Sequence, residues 1–329
     1  MADQKLRGLI KFRELGLIFF IALISIAVNI RNPEFLTLNN LENLFTNAAI
    51  LAILSVGMML VLLTGGIDLS IGATLAFSGM VTGLTLKANP GIPLPVLLLE
   101  GSLIGAAVGL VIGILIARFS ILPIIASLGM MNIMRGMTYL VSGGAWVSAY
   151  QMPDNFKRFA TGHFLGINNL VVIALAVFIF FYFFINLTKT GRRIYAVGSN
   201  REAAEIIGLP VMRIVTLVYV LMGFLAGLGG VLWVSKFASA QGDTALGYEM
   251  NVIASCVLGG VSVSGGRGGI EGLLLGVILF GILANALPLI NVSPFWQQAI
   301  QGFVILAAII TNIVIKRNND QANLRQRAI

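Results

Sequence analysis

The chain has a single cysteine, Cys256, and a single histidine, His163. A lone cysteine closes no internal disulfide, and neither residue has the company that a metal site needs. Cys256 stands in an apolar run, where a small buried side chain is expected. Charge is just as scarce. Asp, Glu, Lys and Arg make up 10% of the 329 residues, against about a quarter in soluble domains. No G-x-x-x-x-G-K-[ST] phosphate loop occurs, so the chain is not expected to hydrolyse ATP by itself. No Cys/His pair or cluster of carboxylates offers a catalytic constellation. The glycine-rich run Gly259 to Gly269 lacks the preceding strand and the following acidic residue of a dinucleotide site. It reads as a tight turn between two apolar segments, with Gly259 and Gly260 structural.

Long apolar runs are what the chain does have. It is 58% hydrophobic with a mean hydropathy of +0.96. Runs near twenty residues recur throughout, which places it among all-α, polytopic helical membrane proteins. A transmembrane barrel would alternate apolar and polar residues in short segments, and this chain does not. Ten spans are expected, at about 15–31, 46–64, 69–87, 94–117, 121–141, 166–187, 213–235, 249–264, 269–288 and 295–315. Segment 1–14 precedes the membrane domain, 15–315, and a polar tail, 316–329, follows it. The basic start and first apolar run read as an uncleaved span, because Arg31-Asn32-Pro33-Glu34 follows and not a small-residue cleavage site.

The net charge of +8 raises the question of nucleic acid, and its distribution argues against it. The basic residues sit in short loops beside the spans, as the positive-inside rule requires. With both termini cytoplasmic, fifteen of the 21 Lys and Arg fall inside and five outside, and Arg135 lies within a span. The outer segments 31–45, 142–166 and 236–248 then form either a landing surface for an external partner or plain solvated connectors.

Thr188 to Arg213 is the longest polar stretch between spans and carries Lys189, Arg192, Arg193, Arg201 and Arg213. Its middle predicts a short helix. Ser199 or Asn200 can cap it, and Glu202 suits its positive first turn. Ala203, Ala204, Ile206 and Ile207 supply a compact apolar face over two turns. Gly208 ends the helix, and Pro210 prevents its continuation. Such a helix can lie in a groove of a partner protein, or on the lipid surface with Arg192 and Arg193 towards phospholipid.

Four segments in order resemble the ribose and autoinducer-2 type sugar permeases of ATP-binding cassette importers. They are Leu63-Thr64-Gly65-Gly66-Ile67-Asp68-Leu69-Ser70-Ile71-Gly72, Gly191 to Gly198, the Glu202-Ala203-Ala204…Gly208 pattern and Val257-Leu258-Gly259-Gly260. The resemblance covers roughly 40–315. It implies a bacterial inner-membrane permease for a sugar or sugar-like solute, paired with an identical or related second permease subunit. It also implies ATP-binding cassette ATPase subunits that carry the ATP and Mg, a sugar-binding protein outside, and a coupling loop, 188–212, that engages the ATPase. This chain itself is expected to bind no cofactor.

Within the spans, Asp68 reads as part of a gate or as a cap for the next helix, with Gly65 and Gly66 allowing the turn before it. Asn132 and Arg135 share a helix face. An intramembrane arginine there either lines the path, where its donor fork suits hydroxyls, or holds a helix contact through backbone carbonyls. The phenylalanines of 175–185 read as lipid-facing bulk, and Trp233 and Trp296 as interfacial anchors. The competing reading is a stand-alone ion- or proton-coupled transporter. It needs coupling carboxylates, for which Asp68 is the main deep candidate, with Glu100, Glu249 and Glu271 near span ends.

Overall fold

The computed structural model describes residues 2–293 and, beyond them, positions 295–297, 299, 300, 302, 303, 306 and 310. Most of the expected tenth span and the whole 316–329 tail lie outside the described residues. Helices come in the order α1 Ala2–Arg31, α2 Leu38–Leu63, α3 Ile71–Ala88, α4 Leu94–Phe119, α5 Pro123–Ser142, α6 Asp154–Thr161 and α7 Asn169–Leu187. They continue as α8 Lys189–Ser199, α9 Arg201–Ile206, α10 Val211–Phe237, α11 Tyr248–Leu258 and α12 Ile270–Leu289. A two-strand hairpin, β1 His163–Phe164 and β2 Ile167–Asn168, pairs antiparallel between α6 and α7. Among the described residues, eight helices are long and apolar enough to cross a membrane. The chain is therefore a polytopic, all-α membrane protein.

Three expected boundaries differ from those observed. The second span starts at Leu38, not 46. A 3-10 turn, Pro33–Leu36, buries Phe35, and the Thr37 side chain then caps α2, accepting from the Asn40 N–H. Its polar first two turns, expected within the outer segment 31–45, are thus the start of the helix. The eighth span, expected at 249–264, is the eleven-residue α11, about 16 Å long at 1.5 Å per residue and too short to cross about 30 Å of hydrocarbon. The outer loop 142–166 is folded, holding α6 and β1.

α2 is the centre of the bundle. Every residue from Ala48 to Leu63 is buried, as expected of a helix apolar on all sides. α10 packs against it and, on another face, runs antiparallel to α4. The α4–α10 seam is made by Gly101, Gly105, Gly109 and Gly113, one residue every four and so on one helix face. A Cβ at Gly105 would run into the Gly223 carbonyl oxygen, and one at Gly227 into that of Gly101. The backbones touch because the side chains are absent, which is how helices associate where no hydrophobic force separates protein from lipid. Sequence reading missed this seam, although the four-residue spacing was visible.

α1, α5 and α7 are peripheral, and their exposed faces carry Phe19, Phe20, Ile124, Ile125, Phe180 and Phe183, suited to lipid. The expectation for the phenylalanines is met only in part, because Phe178 and Phe181 turn into the core. Cys256 is buried, with its thiol donating to the Ser55 carbonyl at 3.4 Å.

Candidate functional site

The polar stretch after α7 folds as two short helices at an angle. Thr188 starts α8, its Oγ1 accepting from the Gly191 N–H at 3.0 Å. Asn200 starts α9, its Oδ1 accepting from the Ala203 N–H at 2.9 Å. The turn after α9 closes with Gly208, at φ +78°, donating to the Glu205 carbonyl at 3.0 Å, and Leu209 donating to the Ala204 carbonyl at 3.0 Å. A left-handed residue there favours glycine.

The expected apolar face divides. α9 has six residues, fewer than the two turns expected. Ala204 packs inward at 2% exposure, whereas Ile206 and Ile207 stand out at 85% and 71%. Glu202 and Ala203 are exposed with them. The protruding patch is thus Ala203, Ile206 and Ile207 edged by Glu202. Arg201 and Glu205 pair across one turn at 3.4 Å. On one side Lys189, Arg192 and Arg193 line a groove of about 380 Å³. On the other, Arg118, Arg201 and Arg213 line one of about 780 Å³.

The unit is fastened to the membrane body. Gly198 lies against the Leu63 carbonyl so closely that a Cβ would overlap it. The same carbonyl accepts from the Gly266 N–H at 2.9 Å. From α8, the Tyr195 hydroxyl donates to the Gly268 carbonyl at 2.7 Å. Burial pushes the Tyr195 phenol up to about 12, with the Glu271 charge adding to it. α8, which leads directly into α9, is thus held at both the end of α2 and the 259–269 turn.

From that end of α2 the chain turns back into the bundle. Gly65, at φ +77°, donates to the Leu62 carbonyl at 2.9 Å and Gly66 to that of Val61 at 3.1 Å, a helix stop of the Schellman type. Residues 66–70 run without helix until α3 begins, and Tyr219 on α10 donates to the Ile67 carbonyl at 3.3 Å. Asp68 is buried, and its Oδ1 accepts from the Ser70 N–H at 2.8 Å and the Ser70 hydroxyl at 2.7 Å. This is an Asx-type turn before the helix; Ser70 stands at the N-cap of α3 with no side-chain cap bond, so Asp68 braces the entry to α3 and does not cap its first turn. A second broken element faces it. After α10 the segment 238–247, expected as an outer connector, packs back among the helices before α11: Ala240 and Ala245 are buried, and the missing Cβ of Gly72 makes room for the Ala245 carbonyl and the Glu249 carboxylate. α11 ends at Gly259 and Gly260, the latter at φ +78° and donating to the Val257 carbonyl at 2.9 Å.

Arg135 belongs to this second element. Its Nη1 donates to the carbonyls of Gly242 at 2.9 Å and Thr244 at 2.6 Å, so α5 grips the re-entrant loop. Asn132, one turn away, is exposed and donates to the Leu128 carbonyl of its own helix at 3.0 Å. The two share a helix but not a partner. Asp68 and Arg135 are likewise brought to different elements. No group of three or more His, Cys, Asp or Glu able to hold a metal occurs among the described residues.

The family model described as "Branched-chain amino acid transport system / permease component" matches residues 40–309. The L-arabinose ABC transporter permease protein AraH of Azospirillum brasilense is 37% identical over 295 residues, covering 90% of this chain and 86% of that one. The ribose import permease protein RbsC of Escherichia coli is 38% identical over 303 residues, covering 90% and 92%. Its Bacillus subtilis counterpart is 38% identical over 299 residues, covering 91% and 92%. No solved structure matches.

Proposed function

We propose that this chain, which belongs to the family of branched-chain amino acid transport system permease components, is the membrane subunit of an ATP-driven importer of a small sugar. The sugar assignment rests on relatives named for ribose and L-arabinose import over nine-tenths of the chain. In this reading the protein sits in a bacterial inner membrane with α8 and α9 in the cytoplasm. It pairs with a second permease subunit, receives the sugar from a binding protein outside, and leaves ATP and Mg to separate ATPase subunits.

One observation carries the coupling mechanism. α9 leaves Ile206 and Ile207 exposed while α8 fixes it, through Gly198 and Tyr195, to the end of α2 and the 259–269 turn. Exposed isoleucines between two basic grooves suit a groove on a protein partner. ATP closes the ATPase pair, α9 moves as a rigid lever, and the movement enters the bundle where α2 gives way to the unwound 66–70 segment. Broken helices of this kind are where transporters change access.

Pull-down from membranes tests this. The wild-type chain should bring an ATPase subunit with it, and Glu202→Lys and Gly208→Trp should lose it. Full retention of the ATPase and of coupled uptake in both variants would sink the lever.

A further inference from the structure

A second polar constellation lies away from α9, between α2, α11 and α12. A cavity of about 240 Å³ opens there. Asn47 on α2, Tyr248 and Asn251 on α11 and Asn285 on α12 supply its polar groups, and Phe280 supplies a ring. The donors and acceptors are not used up by the fold. Among the described residues, the side-chain amides of Asn47 and Asn251 make no hydrogen bond. Asn285 is engaged at one edge only, in a reciprocal amide pair with Asn40 at 3.0 and 3.1 Å. Tyr248 is held by the edge of Trp233, with ring centroids 5.3 Å apart.

Asn47 is the last residue of the polar start of α2 and is exposed beside the cavity. A polar side chain at the edge of a span turns to water, a solute or protein. The cavity is wide enough for one small solute, and among its apolar carbons it offers neutral amides that donate and accept, the Tyr248 side chain and no charge, a lining suited to a polyol. It also touches the start of α11, the re-entrant helix whose preceding loop Arg135 grips.

We infer that the cavity between α2, α11 and α12 is a waypoint for the sugar, with Asn47, Asn251 and Tyr248 as its hydrogen-bonding residues. The inference rests on the reading of the chain as a sugar permease and gives that reading a binding site. Neutral amides bind hydroxyls weakly beside competing water, which suits a site that must release its solute.

The chain's one cysteine is buried, so a Cys256→Ala background gives a clean test. Asn47→Cys and Asn251→Cys are introduced singly into the assembled importer in native membranes and labelled with a membrane-impermeant methanethiosulfonate. Ala149→Cys in the outer loop is the water control and Phe180→Cys on the outward face of α7 the lipid control. We expect both cavity thiols to label within tenfold of the rate at position 149, and at least fivefold more slowly while the aldose carried by the wild type is being transported. Asn251→Ala should cut uptake at least tenfold with the partner subunits still co-purifying. Thiols as inert as that at position 180 would overturn the inference, as would Asn251→Ala shedding the second permease subunit, which would make the amides interhelical contacts. Absence of aldose uptake by the wild type would instead refute the permease reading, while water access to positions 47 and 251 would still be read by the label.

Discussion

Removing the two isoleucines that α9 exposes should separate partner docking from folding. Ile→Ala deletes three carbons, each contributing about 0.8 kcal/mol when fully buried. Scaled by the 85% and 71% exposure of Ile206 and Ile207, burial against a partner contributes about 2 and about 1.7 kcal/mol. The double variant should therefore bind its ATPase between a hundred- and a thousandfold more weakly at most, since each 1.4 kcal/mol is about tenfold. Among the described residues the chain covers little of these side chains, so its own melting temperature should barely move, exposed substitutions being worth about 0.5 kcal/mol or less. Titration of purified ATPase subunit onto the permease in nanodiscs measures the first quantity, and thermal unfolding in the same nanodiscs the second. Unchanged affinity in Ile206→Ala/Ile207→Ala would refute the docking argument. A fall in melting temperature matching the fall in affinity would show that the patch stabilises the chain and not the complex.

Three further outcomes follow from the packing. Gly105→Leu should abolish stable α4–α10 packing, because its Cβ meets the Gly223 backbone, whereas Gly129→Ala on α5, with open space around it, should melt as the wild type does. Asp68→Asn keeps an oxygen for the two Ser70 bonds and should retain ionophore-insensitive uptake, while Asp68→Ala should cost about 1–3 kcal/mol of stability by leaving the buried Ser70 donors unpaired; loss of transport in Asp68→Asn would favour a proton-coupled carrier. Tyr195→Phe should cost about 1 kcal/mol through the lost bond to Gly268. Because the folded phenol titrates at about 12, above its ordinary value near 10, the folded state holds its proton longer. The stability it lends is complete below pH 10 and is lost as pH rises towards 12, so wild type should lose its advantage over Tyr195→Phe in thermal melts within that window.

Most spans were legible because hydropathy alone marks them, and the start of α9 because Asn200 stands just before Glu202-Ala203-Ala204; α8 and its Thr188 cap were not read, since Lys189 to Arg193 is polar and shows no apolar period. The end of α11 was not, because the run Val252 to Val263 is apolar whether helical or extended, and only the Gly259-Gly260 stop decides. The start of α2 was misjudged for the opposite reason: its first turns are polar, yet Thr37 caps them and Phe35 anchors them. Which side of α9 faces out depends on the body beneath it, and no period in six residues reveals that Ala204 is in and Ala203 out. Arg135 was visible as an intramembrane charge, but its carbonyl partners lie more than a hundred residues away. The cavity of Asn47, Asn251 and Asn285 draws on three distant segments, and a lone asparagine in an apolar run carries no signal of its partners.

Uptake in proteoliposomes separates an ATP-driven importer from an ion-coupled carrier. With the chain, its ATPase subunit and the outer binding protein present, aldose should accumulate only when ATP is supplied on the α9 side. It should persist when ionophores collapse every ion gradient, and stop with Ile206→Ala/Ile207→Ala. Accumulation by the chain alone, driven by a proton or sodium gradient and indifferent to ATP, would contradict the account.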